Sequence, residues 1–308
     1  MENKDGFFSK IHRKGFTWKD SVFISFLVFF LMFLLGSAIA FPIGKLLRLF
    51  ANEENAEFFN ILGDNFGFLG YWIIAFIYLL IVKSDKPIFR AFGREPKGNT
   101  VKMLLLGFPI GLVLNTLCVS VAILLGVIRV SFDSFPLIKI LLVFVSVFAQ
   151  SAGEELLCRG VLYQRLRKAY KNPWVAILVN PLVFVAVHMA IPGCTIYAII
   201  SIYLVGLMFS LMVYYFDSLW MAMAVHAAWN FTQNFIFGLP NSGTIYNLSI
   251  FRLDQATVKD GLFYSAAFGI EASVTSIIVF AAADAVILYM MKRKPRTSLD
   301  VWNDQKAE

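Results

Sequence analysis

From Ser21 to Phe41 the chain runs for 21 residues without one charged side chain. At 1.5 Å per residue such a helix is about 30 Å long, the thickness of a bilayer's hydrocarbon core. Comparable apolar runs begin near Phe66, Met103, Leu137, Trp174, Thr195, Leu219 and Tyr264. Backbone N–H and C=O groups inside lipid must be paired within the chain, so these runs are expected as helices. Apolar residues make up 59% of the 308 and charged residues 15%, whereas soluble domains sit near about 45–50% and 25%. The expected fold is all-α: a polytopic integral membrane protein with about eight transmembrane helices, whose first partner is the lipid bilayer.

The organisation read from the runs has five parts. A basic N-terminus covers 1–20, and three helices with their loops cover 21–136 (spans near 21–41, 66–82 and 103–128). A core of four spans fills 137–238, an outer loop and the last span fill 239–291, and a basic tail covers 292–308. Ala38-Ile39-Ala40 resembles a signal-peptidase site, but the run before it is longer than a signal sequence's apolar region, so an uncleaved first helix is expected.

Eight spans return both termini to one side. That side then holds 21 of the 27 Lys and Arg residues and the other side 6. Cytoplasmic loops carry the excess of basic residues, so both termini are expected in the cytoplasm of a cell, and the short loops suggest a bacterial one. The net charge of +7 is thereby explained without nucleic acid. Cys118, Cys158 and Cys194 are odd in number and scattered in apolar sequence, which suits buried small side chains rather than a disulfide framework.

Against this background the polar residues inside the spans stand out. Glu154 and Glu155 are the only acidic residues between Ser134 and Phe216. A charge at a helix centre costs several kcal/mol, roughly 2.5–3.5 on insertion scales, so an intramembrane carboxylate reads first as functional. Asp284 invites the same reading, as a proton or ion site, or else as partner to a polar group on a neighbouring helix. Asn115, Asn180 and Gln150 are expected as hydrogen-bonding links between helices.

Depth and facing connect Glu154 to two histidines. Spans four and five form a hairpin turning near Lys171, with Glu154 17 residues before the turn and His188 17 after it. Equal rise per residue sets them at one depth. Span seven enters near Ser218 on the same side, and His226 lies eight residues in, at a comparable level. The layer so defined is expected in the cytoplasmic half of the membrane. Glu154 and Glu155 point about 100° apart on a helix. Glu155 and Arg159, at i and i+4, are expected to pair, leaving Glu154 free to face the histidines. His226 and Asn230 share a helix face, as do Phe184 and His188.

These residues spell three short motifs in order: Glu154-Glu155-Leu156-Leu157-Cys158-Arg159, Phe184-Val185-Ala186-Val187-His188 and His226-Ala227-Ala228-Trp229-Asn230. The set resembles the EExxxR, FxxxH and HxxxN motifs of the CAAX prenyl protease and bacteriocin-processing (Abi) family of intramembrane glutamate or metallo-proteases, over about residues 137–238. The resemblance implies an endopeptidase that cuts a lipidated or hydrophobic peptide or protein precursor near the cytoplasmic membrane face. It implies Glu154 as general base, His188 as a water-orienting group, His226 and Asn230 as oxyanion donors, and Glu155 with Arg159 as a supporting ion pair. A carboxylate withdrawn from water is a stronger base, and donors in a low-dielectric site stabilise developing negative charge. Glu154, His188 and His226 also form the kind of three-ligand set that catalytic zinc takes, so a Zn2+ route and a metal-free route both stay open. The rival reading is a non-catalytic membrane protein on the same fold, concerned with bacteriocin immunity or transport.

Overall fold

The protein is described by a computed structural model covering residues 7–296 and 298–303. Lys4 of the basic head and Lys306 of the tail lie outside the described residues. The described residues are mostly helical. Among the described residues, six helical stretches are long and apolar enough to cross a membrane: Val22–Arg48, Ala56–Ile81, Val101–Leu124, Leu137–Ala169, Ile196–Tyr215 and Val274–Arg293. Two shorter helices, Pro173–His188 and Leu219–Phe231, complete the set of eight apolar segments.

We label Val22–Arg48 α1, Ala56–Gly67 α2, Leu69–Ile81 α3 and Val101–Leu124 α4. Leu137–Glu155 is α5; it continues through a widened π-helical turn, Leu156–Leu162, into α6, Tyr163–Ala169. Then follow α7 (Pro173–His188), α8 (Ile196–Tyr215), α9 (Leu219–Phe231) and α10 (Val274–Arg293). The boundaries have local causes. Asn172 Oδ1 accepts from the Trp174 N–H at 3.0 Å, and Pro173, which has no N–H to satisfy, opens α7 as expected. Ser218 Oγ accepts from the Met221 N–H at 3.1 Å and caps α9.

Three stretches depart from the sequence reading. The polar connection expected at 42–65 is mostly helix, because α1 runs on to Arg48 and α2 starts at Ala56; Arg48 pairs with Asp64 across the two. The last span begins at Val274 rather than near 264, since Tyr264 and Phe268 are buried within an outer loop that folds back on the bundle. The basic segment after Arg159, which the charge count sets among the cytoplasmic loops, is buried from Leu156 to Arg167. Its charges are paired: Arg165 with Asp85, and Lys168 Nζ with Asp20 at 3.0 Å and Asp85 at 2.9 Å. Burial alone would raise the Asp85 carboxyl, but Arg165, Lys168 and Tyr78 together hold it below the usual carboxylate range.

The bundle has two distinct ends. At one, Arg13 pairs with Asp300, the Lys171 N–H donates to Ile11 O at 3.1 Å, and the Asp217 carboxylate accepts from the N–H groups of Lys97 (2.8 Å) and Leu299 (2.9 Å). Both terminal segments therefore share a face with the loops near 97, 171 and 217. At the other end a two-stranded ladder, β1 (Val130–Phe132) antiparallel to β2 (Phe251–Leu253), sets Val130 opposite Leu253. There the Asn247 N–H donates to Glu57 Oε1 at 2.5 Å.

Close packing fixes α9 against α4. A Cβ on Gly111 would meet Val225 O at 2.2 Å, and one on Gly107 would meet Met221 O at 2.8 Å. This small-xxx-small stripe lets the two backbones touch, which is how membrane helices gain van der Waals contact. Elsewhere, Asn115 Nδ2 donates to Gln233 Oε1 at 3.0 Å and Asn180 Nδ2 to Cys158 O at 2.7 Å, the links expected of them. Asp284 is 4% exposed, yet neither of its oxygens has a hydrogen-bond partner among the described residues, so the expected polar partner on a neighbouring helix is absent there.

Candidate active site

Glu154 lies at the end of α5, two residues before the helix widens at Leu156, and Gly153 beside it lets this rod lie against Phe68 and Trp72 at the junction of α2 and α3. The wide turn carries the Arg159 guanidinium inward, where it is fully buried. Its Nη1 donates to Glu155 Oε1 at 3.0 Å and its Nη2 to Gly206 O at 2.9 Å. Phe184 and Phe209 cover its plane, with ring centroids 4.9 and 5.2 Å from Cζ. π-helical turns recur at functional sites because they re-aim side chains that a regular helix would place elsewhere.

The expected division between the two glutamates holds in part. Glu155 does pair with Arg159 and turns away from Glu154. It also accepts a hydrogen bond from His226 Nδ1 at 3.0 Å, so it orients a histidine as well as balancing a charge. That contact commits Nδ1 as a donor and aims Nε2 at Glu154, whose Oε2 lies 3.8 Å away. Phe209 stacks on the His226 ring at 5.3 Å between centroids, and Phe184 meets it edge-on at 6.0 Å. His188 donates from Nδ1 to Phe184 O at 2.8 Å, leaving its Nε2 for the cavity.

A cavity of about 310 Å³ is lined by Glu154, His188, His226 and Asn230 together, drawing on three helices. All four side chains assigned a catalytic role thus face one space, while Glu155 and Arg159 stand behind it. Several residues not expected at the site join them. Gln150 Nε2 donates to Glu154 Oε1 at 2.5 Å, and Gln150 Oε1 accepts from Ser151 Oγ (2.8 Å) and Asn230 Nδ2 (3.2 Å). Gln150 does link helices, as expected, through Asn230 of α9, while its own amide N–H holds the Glu154 carboxylate on α5. Gln150 and Glu154 are four residues apart on one apolar helix, a signal available in the sequence. Asn241, by contrast, comes from the outer loop and donates to Asn230 Oδ1 at 3.1 Å, a contact no local pattern announces.

A second cavity, of about 210 Å³, meets the first at Glu154 and His188. Its walls are apolar: Phe29 and Phe33 of α1, Tyr71 of α3, Leu157, and Phe184 and Val187 of α7. One space is lined by amides and carboxylates and the other by aromatic and aliphatic side chains, and Glu154 stands where they join.

Glu154, His188 and His226 do not form one ligand group: no cluster of three His, Cys, Asp or Glu side chains suited to a metal occurs among the described residues. One Glu154 oxygen is held by Gln150 and one His226 nitrogen by Glu155. These contacts leave Glu154 Oε2 and the Nε2 atoms of His188 and His226 uncommitted, and a histidine whose other ring nitrogen is held in this way is the usual form of a metal ligand.

No curated protein matches the chain. Residues 136–232, which contain all three motifs, match the family described as Rce1-like, type II CAAX prenyl endopeptidase.

Proposed function

We propose that the protein is an intramembrane endopeptidase in which Glu154 activates water against a peptide carbonyl held in the polar cavity. The observation that carries this reading is the convergence of Glu154, His188, His226 and Asn230 on one space. Glu154 takes the proton from water, and His188 Nε2 holds that water against it. Asn230 has its carbonyl fixed by Asn241 and donates from Nδ2 to Gln150 Oε1 and Ser151 Oγ; it serves the developing oxyanion by exchanging one of those two contacts for the substrate oxygen. His226 donates from Nε2 when the ring carries two protons, and Glu154 is placed to exchange the second of them. Glu155 and Arg159 keep the imidazole in that orientation. The substrate is a membrane-associated polypeptide whose lipidated or hydrophobic flank occupies the apolar cavity.

The decisive experiment is Glu154→Gln, which retains shape and hydrogen bonding to Gln150 but removes the base. Cleavage by purified protein in detergent should fall by about 10²–10⁴-fold, the usual contribution of a general base, with folding unchanged by thermal melt. Undiminished cleavage in that variant would remove Glu154 as the base, and absence of cleavage by both proteins with peptide immunity retained in the variant would favour the non-catalytic immunity or transport reading. Chelator treatment separates the two chemistries: the free-base route keeps full activity, and loss restored by added Zn2+ would overturn it.

A further inference from the structure

Resting on the peptidase reading above, we infer that the scissile bond reaches Glu154 from the face opposite both chain termini, the extracytoplasmic face, so that the substrate is a segment already translocated. This replaces the approach from the cytoplasmic side that the family resemblance implies.

Four observations carry it. The polar cavity draws on Asp64, Asn241, Ser242, Thr244 and Tyr246, all at the end of the bundle away from the termini. Asp64 and Thr244 there are exposed, whereas His226 deeper in is buried. Ile191, from the loop after α7, lines both cavities, and no residue of the loops near 97, 171 or 217 lines either. Towards the terminal face the way is filled, since every residue from Glu155 to Arg167 is buried.

Helix length gives the opening its cause. The 16 residues of α7 span about 24 Å and the 27 of α1 about 40 Å. Both start at the terminal face, so α7 stops at His188 partway through the molecule. The space beyond its end is what the outer loop roofs and the cavity fills.

The charge distribution then orients the molecule. Of the 25 Lys and Arg among the described residues, only Lys45, Arg48, Arg129, Lys139, Arg252 and Lys259 lie at the open end. Basic residues are retained in the cytoplasm, which puts the terminal face inside and the opening outside. A lipidated C-terminus displayed in the cytoplasm would meet the closed end, whereas an exported precursor or an outer-leaflet segment would meet the open one.

Two measurements test this in membranes containing the full chain. In a Cys194→Ser background, Thr244→Cys should react with a membrane-impermeant maleimide in intact cells, and Lys294→Cys only after lysis. The reverse pattern would overturn the orientation. A library of peptides with apolar flanks is then offered to right-side-out and to inverted vesicles, with Glu154→Gln as the blank. Glu154-dependent cleavage is expected in right-side-out vesicles and lost in inverted ones. Cleavage confined to inverted vesicles would overturn the inference and leave the peptidase reading standing. External labelling at Thr244→Cys with no Glu154-dependent cleavage in either preparation would overturn the peptidase reading instead.

Discussion

Arg159 is the side chain on which most of the site's geometry depends. It touches Glu155, the Gly206 carbonyl and two aromatic faces, and through Glu155 it holds His226. Arg159→Met leaves the Glu155 carboxylate buried without a counter-charge, which typically costs about 3–5 kcal/mol. A lower melting temperature in detergent checks this. Lysine should rescue poorly, since an ammonium cannot reach the carboxylate and the carbonyl while filling the slot between two rings. The double variant Glu155→Leu/Arg159→Met separates structure from chemistry: it should regain much of the stability, because no charge is stranded, yet stay inactive, because His226 loses its Nδ1 partner. The Glu155–Arg159 pair was legible in the sequence because both residues sit on one helix at a spacing that meets. The contact from Glu155 to His226 was not, because it depends on the rotation of α9 about its own axis, and that is set by packing against α4.

At the scale of elements, α9 matters most, since it carries both His226 and Asn230. Its seat on α4 is fixed by Gly107 and Gly111. Gly111→Val would drive a branched side chain into the Val225 carbonyl, and overpacking of this kind costs about 1–3 kcal/mol or more where backbone must shift. Activity should fall further than stability, because the displaced helix carries two of the four groups proposed for catalysis; comparing the activity and melting temperature of Gly111→Val with those of Gly111→Ala checks the order. The apolar runs gave away most helices, their order and the pairing of α5 with α7 in depth. They did not reveal the widened turn at Leu156–Leu162, since a π-helical turn leaves no period of its own in a run that is apolar on every side. Nor did hydropathy separate Tyr264 and Phe268 from the last span. Those residues are apolar because they are buried in a folded loop, and burial in protein selects the same side chains as burial in lipid.

For the molecule as a whole, the outer loop decides how open the site is. Glu271 anchors it: the carboxylate accepts from the Ser242 backbone N–H and hydroxyl and from Gln233 Nε2. Gly269 sits beneath at φ 112°, where a Cβ would press on Pro240 O at 2.1 Å, so the loop can close over Glu271 only with glycine there. Burial pushes the Glu271 carboxyl up to about 7, against the hydrogen bonds that favour its charged form. A folded-state value above the unfolded one means the native protein holds the extra proton. The resulting stabilisation is complete below about pH 4.5 and is lost as pH rises to about 7. Thermal stability should therefore decline across that window, and Glu271→Gln should flatten the decline; an unchanged slope in the variant would remove Glu271 as its source.

The brevity of α7 has a consequence for the membrane as well as for the cavity. Trp174, Leu178, Leu182 and Met189 are exposed along it, so this helix meets lipid directly. A hydrophobic wall about 24 Å tall beside a hydrocarbon layer of about 30 Å forces the nearby leaflets to pinch, at fractions of a kcal/mol per ångström. Lipid thickness thereby becomes a variable of the reaction. Reconstituted into bilayers of increasing acyl length, the protein should lose turnover before it loses fold, as the surrounding chains rise over the end of α7 and close in on His188.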